Sequence, residues 1–158
     1  MNETTSAVQR EIRQTRPFHS RAQEATIAIL RTADVLRRRL GAVIEPHGIT
    51  LQQFNVLRIL RGAQGKPMPT LEIGGRLIEQ TPGITRLLDR LEEKELVRRA
   101  RCTEDRRQVH CFITPAGLEL LDHLEAPMAE GDDLPGRVLG DEELARLIDY
   151  LDRIRDAE

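Results

Sequence analysis

Tryptophan is absent, and aromatic rings are scarce: Phe18, Phe54, Phe112 and Tyr150 are the only ones in 158 residues. So few rings exclude proteins that read single-stranded bases by stacking them on several aromatic side chains. Cysteine occurs twice, as Cys102 and Cys111, too rarely for a disulfide scaffold and in keeping with a reducing cytoplasm. No run approaches the ~18–20 apolar residues that span a bilayer. The polar N-terminus carries no apolar leader segment, so a cytoplasmic protein without membrane contact is expected. The spacings of catalysis and metal binding are missing as well. His19, His47, His110 and His123 are scattered, with no His-x-x-Glu-His, Cys-x-x-Cys or Gly-x-Ser-x-Gly pattern. Neither an enzyme nor a cofactor is expected.

What remains is 39% hydrophobic and 32% charged, the composition of one globular domain. A fold of this size buries roughly 68–70% of its extended-chain surface and needs no covalent staple. The net charge of −2 conceals an asymmetry: residues 1–115 carry +7 and residues 116–158 carry −9. A basic body with an acidic end points toward a polyanionic partner, although a solvated surface accounts for the same split.

Residues 1–17 lack clean periodicity and read as a loosely docked arm ending at Pro17. Good helix formers run from Ser20 to Leu40, with Gly41 near the helix end and Pro46 and Gly48 breaking the chain. Thr50 and Gln53 form a capping box for a helix that is apolar on nearly every side, through Leu51, Phe54, Val56, Leu57, Ile59 and Leu60. Such a helix belongs in the middle of a core. Residues 62–69 form a connector rich in breakers, and Thr70 caps a short helix over Leu71–Glu79. Its Gly74-Gly75 pair costs about 1 kcal/mol per residue against Ala and implies close helix–helix approach. A phosphate-cradling loop is disfavoured because no Lys-Ser/Thr follows. Thr81 as cap and Pro82 as first residue open a further helix running to about Lys94. Two short strand-like runs, 96–102 and 107–113, flank a polar turn at 103–106. Thr114-Pro115 starts the next helix, which Pro127, Gly131, Pro135 and Gly136 interrupt. Asp141 opens a last helix with Leu144, Leu147, Ile148, Leu151 and Ile154 on one stripe.

Two helices joined by a short turn and followed by a β-hairpin describe a winged helix-turn-helix. On a helical wheel Ile84, Leu87, Leu88 and Leu91 fall together, with Thr85, Arg86, Asp89, Arg90 and Glu93 opposite. Arginine and threonine early on the exposed stripe suit a recognition helix, because the arginine fork matches guanine O6/N7 and threonine meets a polar edge or a thymine methyl. Arg98, Arg99, Arg101, Arg106 and Arg107 crowd the hairpin. An arginine-tipped ribbon can enter a minor groove, with Asp105 orienting a guanidinium. Each arginine alone is explained by surface solubility; the ordered set is not.

The order and spacing of these segments resemble the MarR family of winged-helix regulators. Thr50–Leu60 looks like its central helix, Thr81–Lys94 its recognition helix, and Asp105-Arg-Arg107 with Phe112–Gly117 its wing and the next helix start. The resemblance implies a mainly α fold with a small β-hairpin wing, the winged helix-turn-helix (49–115) lying between dimerisation elements at 1–48 and 116–158. It further implies a homodimer on a pseudo-palindromic double-stranded DNA operator, usually as a repressor, with a small aromatic or phenolic effector. The sites it implies are Thr81, Pro82, Gly83, Thr85, Arg86 and Arg90 on the recognition helix, and Asp105, Arg106 and Arg107 on the wing. Arg86 takes the place of a base reader and Arg107 that of the minor-groove arginine. One departure stands out: the family commonly has Gly where Glu95 stands. A left-handed Glu95 carries strain of order 1 kcal/mol; otherwise the turn differs.

The leucine stripe of the last helix independently argues for pairing with the N-terminal helix and a second chain. Two sensor readings compete with a ligand-responsive repressor. His123 beside Asp122 and Glu125 is a candidate metal group. Cys102 and Cys111 are candidate redox thiols, with arginines nearby to lower a thiol pKa. A turn at 103–106 would place Cys102 near Arg107 and Cys111 near Arg98, too far apart in register for a bridge.

Overall fold

The computed structural model describes residues 6–79 and 83–157. The arm expected before Pro17 contains a helical turn, α1 (Ala7–Glu11), capped by Ser6. Val8 is buried and Glu11 pairs with Arg31 at 3.1 Å, so this segment is docked. Ser20 caps α2 (Arg21–Ile44), accepting the Gln23 N–H at 3.1 Å. Gly41 lies in the last turn of the helix, as expected, and the chain then enters a 3-10 turn whose Gly48 is left-handed, φ 72°. The Thr50–Gln53 capping box is present at the start of α3 (Leu51–Gly62). As its all-round apolarity predicts, α3 lies in the middle: Phe54, Val56, Leu57 and Leu60 are buried against residues from α2, from the later helices and from the sheet.

The breaker-rich connector holds a short strand, β1 (Met68–Pro69), which pairs with the far strand of the hairpin. It leads into α4 (Thr70–Arg76) and α5 (Ile84–Glu93). Thr70 is not a cap. Its hydroxyl donates to the Val109 carbonyl at 3.2 Å, and Pro69 holds the cap position without a side-chain bond. Close packing does not explain Gly74-Gly75: a Cβ on Gly74 would touch Ile84 at an ordinary 3.9 Å, and one on Gly75 would meet nothing within 4 Å.

The hairpin strands β2 (Val97–Arg101) and β3 (Val109–Ile113) join β1 in an antiparallel sheet of order β1-β3-β2. Thr114 caps α6 (Pro115–Asp132), which runs through Pro127 without interruption because Leu124 and Met128 are buried on either side of it. Gly117 lets α6 lie against the base of the hairpin, since a Cβ there would come within 2.5 Å of the Leu96 carbonyl oxygen. The chain breaks after Asp132, turns through 135–137 and ends in α7 (Asp141–Arg155), on which no residue is buried. The result is a mainly helical fold with a small antiparallel wing.

Candidate nucleic-acid interface

Gln80, Thr81 and Pro82, and with them the expected cap and first helical residue, lie outside the described residues; helix α5 is described from Ile84, with Gly83 before it at φ 122°. The wheel is realised: Leu88 and Leu91 are fully buried, Ile84 and Leu87 half-buried, while Thr85, Arg86 and Arg90 are exposed. At the far end the Leu96 N–H donates to the Leu91 carbonyl (3.0 Å) and the Glu95 N–H to the Glu92 carbonyl (2.9 Å). This is a Schellman closure, which wants a left-handed residue, and Glu95 takes it at φ 59°.

In the wing loop, the Cys102 N–H donates to the Gln108 carbonyl at 3.0 Å, and Gln108 N–H to the Asp105 carbonyl at 2.9 Å. Asp105 Oδ1 accepts both the backbone N–H (3.0 Å) and the Nε–H (3.4 Å) of Arg107, whose side chain is 93% exposed. Arg101 and Arg106 are exposed too. Arg98 stacks on the Phe112 ring, 4.4 Å from its centroid. Arg99 turns the other way, onto Asp89 (2.6 Å) and Glu92 (2.7 Å) of α5. Its guanidinium holds the Glu92 carboxyl below the ordinary value, and Arg99 itself is raised. The basic wing therefore divides into exposed and inward-tied arginines, a division the sequence reading does not make.

Thr85 joins α5 and the wing on one surface. It lines a groove with Gly83, Arg86 and Arg90, and a second with Arg107, Gln108 and the start of α4. Behind α5 lies a cavity of about 610 Å³ between α2, α3, α5 and α6, lined by Leu36, Leu40, Leu51, Phe54, Leu87 and Met128 and edged by Arg37, Arg58 and Arg90 together with Glu79 and Asp132. Sequence reasoning places several of these residues in helices or the core but none in a ligand site, and names Arg90 only as a recognition-helix residue, because the cavity's walls come from distant segments. At its rim Glu79 accepts from Arg37 (2.5 Å) and Gln52 (3.0 Å), which tie α2 and α3 to the chain leaving α4. Those bonds, Gln52 first and then Arg37, hold the Glu79 carboxyl below its ordinary value.

The cysteine register differs by one residue from expectation: Cys111 faces Arg99, and Cys102 is bonded to Gln108. Three residues of ladder separate the two thiols, roughly 10 Å at ~3.4 Å per residue, beyond the reach of a disulfide. Burial pushes the Cys111 thiol up, against the hydroxyl of Thr70 at 3.7 Å, so nearby arginines do not activate it. His123 Nδ1 lies 2.8 Å from the Glu119 carbonyl oxygen, and Asp122 and Glu125 lie 3.9 and 3.7 Å from Arg61. No group of three or more metal-ligating side chains is assembled among the described residues. Among them, too, no helix is long and apolar enough to cross a membrane.

A helix-turn-helix whose second helix exposes arginine and threonine beside a basic β-ribbon defines a winged-helix DNA-binding protein. The MarR family profile matches residues 49–109. The MarR transcription factor of Planctomyces limnophilus is 37% identical, with 86% of this chain and 98% of that one superposing at a TM-score of 0.67. The chain belongs to the MarR family and is a transcriptional regulator that binds DNA. MarR of Escherichia coli, solved as a mutant with operator DNA, is 25% identical over 80% of this chain and 90% of its own, TM-score 0.72. NadR, solved with 4-hydroxyphenylacetate, shares the fold at a TM-score of 0.70 and 24% identity, covering 90% of this chain and 100% of its own. The homoprotocatechuate degradative operon repressor of Escherichia coli is 27% identical over 105 residues, 66% of this chain and 70% of that protein.

Proposed function

We propose that the chain is a ligand-responsive repressor that binds a pseudo-palindromic operator as a homodimer. The observation that carries this reading is the shared surface at Thr85, from which Arg86 and Arg107 both project into solvent. Gly83, Thr85, Arg86 and Arg90, with Thr81 and Pro82 before them, enter the major groove. Arg106 and Arg107, the latter oriented by Asp105, follow the adjacent minor groove. Segment 49–115 reads DNA while 1–48 and 116–158 pair with a second copy. In support of pairing, Leu30 (62% exposed), Ile148 (58%) and Ile154 (55%) on α2 and α7 lack cover within one chain. A domain of this size gains by burying such a stripe.

The cavity between α2, α3, α5 and α6 receives a small aromatic or phenolic effector, since apolar walls and arginines at its edge suit a ring bearing an anionic or hydroxyl group. NadR's ligand is of that chemistry. Repression is supported by the degradative-operon repressor among the relatives. The protein acts in the cytoplasm by binding alone, not by catalysis.

The test is binding to a duplex that the protein itself selects from a randomised pool. Sedimentation should show a dimer, and the selected duplex an inverted repeat with half-sites about one turn (~10 bp) apart. Affinity should fall with salt by a slope of roughly −0.9 per neutralised phosphate. A micromolar monomer, or binding indifferent to salt, would refute the reading.

A further inference from the structure

The wing and α5 are joined in the chain only by the turn Lys94–Leu96, yet side chains bind them far more tightly than that connection requires. From β2, Arg99 donates through Nε to Glu92 Oε2 (2.8 Å), through Nη2 to Asp89 Oδ1 (2.6 Å), and through its backbone N–H to Glu92 Oε1 (3.0 Å). Both carboxylates stand on α5 three residues apart, so they present neighbouring acceptors on one face. A planar guanidinium meets two such acceptors in fixed geometry, which an ammonium cannot do. The Arg99 side chain is only 23% exposed, against 93% for Arg107, eight residues further along in the wing loop. Arg99 also borders the groove that holds Thr85 and Arg107. The opposite edge of the sheet is held separately, by β1 pairing with β3 and by Thr70 on the Val109 carbonyl. Loss of Arg99 therefore frees the angle between wing and helix without dissolving the sheet.

We propose that Arg99 is a positioning residue for DNA binding: its fork on Asp89 and Glu92 sets the angle between recognition helix and wing, so that Arg86 and Arg107 engage one duplex together. Two reading elements held in a fixed relation behave as a linked pair, and the second engages at high effective concentration once the first is bound. The same fork offsets the charge of two carboxylates that would otherwise repel phosphates. The inference rests on the reading above that helix and wing both touch DNA; Arg107→Ala in the otherwise unchanged chain tests that reading alone.

Arg99→Gln and the double variant Asp89→Asn/Glu92→Gln break the fork from opposite sides. In Arg99→Gln the carboxylates left behind are 46% and 39% exposed, and in the double variant the guanidinium left behind is 23% exposed and still reaches solvent; thermal unfolding checks the fold of each. Each variant is titrated with the selected duplex and with a random duplex over a salt series. A positioning role lowers the ratio of selected to random affinity about tenfold in both variants and leaves the salt slope unchanged. It also makes Arg107→Ala cost less in the Arg99→Gln background than in the wild type. Freeing Arg99 in the double variant would instead tighten binding if that arginine touched phosphate directly. A selected-to-random ratio unchanged or raised in the double variant overturns the proposal. So does an equal loss on both duplexes in Arg99→Gln with a slope smaller by about 0.9, the mark of a phosphate contact.

Discussion

Glu95→Gly should stabilise the protein, and the structure sets the size of the gain. Glu95 sits at φ 59° with its backbone committed on both sides: its N–H closes onto Glu92, and its carbonyl accepts the Thr114 hydroxyl at 2.7 Å. The left-handed conformation cannot relax without opening both bonds and the neighbouring Leu96–Leu91 closure. An L-residue there carries about 1–2 kcal/mol that glycine does not. Glycine in turn raises the entropy of the unfolded chain, which takes back roughly 0.5–1 kcal/mol. The difference centres on a gain of about 0.75 kcal/mol, or ~1.5–3 °C in Tm for a chain of this length. Glu95→Ala keeps the Cβ and should gain nothing, which separates backbone strain from loss of an exposed charge. Urea unfolding at one fixed protein concentration is the assay: the midpoint rises for Gly alone, with the m-value unchanged in both. A midpoint unchanged or lowered by Gly, or raised equally by Ala, refutes the strain argument. Because the turn's geometry is preserved, affinity for DNA should stay within about twofold of wild type.

Arg86→Ala should lose about 1–3 kcal/mol on the selected duplex and much less on random DNA, because a base contact carries sequence information; equal losses on both would reduce the helix to a phosphate clamp. Arg107→Ala should lose most on duplexes with narrow A·T-rich flanks, and Asp105→Ala should show a milder form of that loss, as the 3.0 and 3.4 Å bonds that hold Arg107 disappear. Replacing Cys102 and Cys111 by Ser should leave DNA release under peroxide unchanged; release by the wild type alone would restore the redox reading. Folded Glu79 titrates below its unfolded value, so its contribution is complete above the unfolded pKa, near 4.5, and fades as pH falls through the folded one. Glu79→Gln should therefore flatten the acid limb of the stability curve below about pH 4.5, as followed by urea midpoints against pH.

What was legible in the chain was what neighbouring residues decide among themselves. Thr50 and Gln53 are three apart and bond each other, and the leucines of α5 share a face whatever surrounds them. The order of helix, turn, helix and ribbon followed from such local signals and carried the family resemblance. Features that distant segments decide were misplaced. The Thr70 hydroxyl goes to a carbonyl 39 residues away in place of its own helix end, and Met68-Pro69 becomes a strand only because β3 offers an edge. Pro127 stays helical because buried neighbours hold the backbone against its propensity. Glu95 lay between these cases: local residues demanded a left-handed turn, and only the observed φ showed that a non-glycine accepts it.

The arginines of β2 show how a single residue of register separates the two kinds of information. Directly opposed residues in an antiparallel pair point to the same side, and a slip of one exchanges the faces. With the hairpin turning at 103–106, Arg98 would lie opposite Cys111 and would be the arginine facing inward. The longer loop, closed by Cys102 on Gln108 and Gln108 on Asp105, places Arg99 there instead. Arg98 then shares a face with Phe112 and stacks on it, while Arg99 shares one with buried Cys111 and reaches the carboxylates of α5. The two side chains are chemically identical, so composition and spacing cannot tell them apart. The turn that Asp105 organises decides which of them is tied to the helix, and the same turn presents Arg107 to solvent.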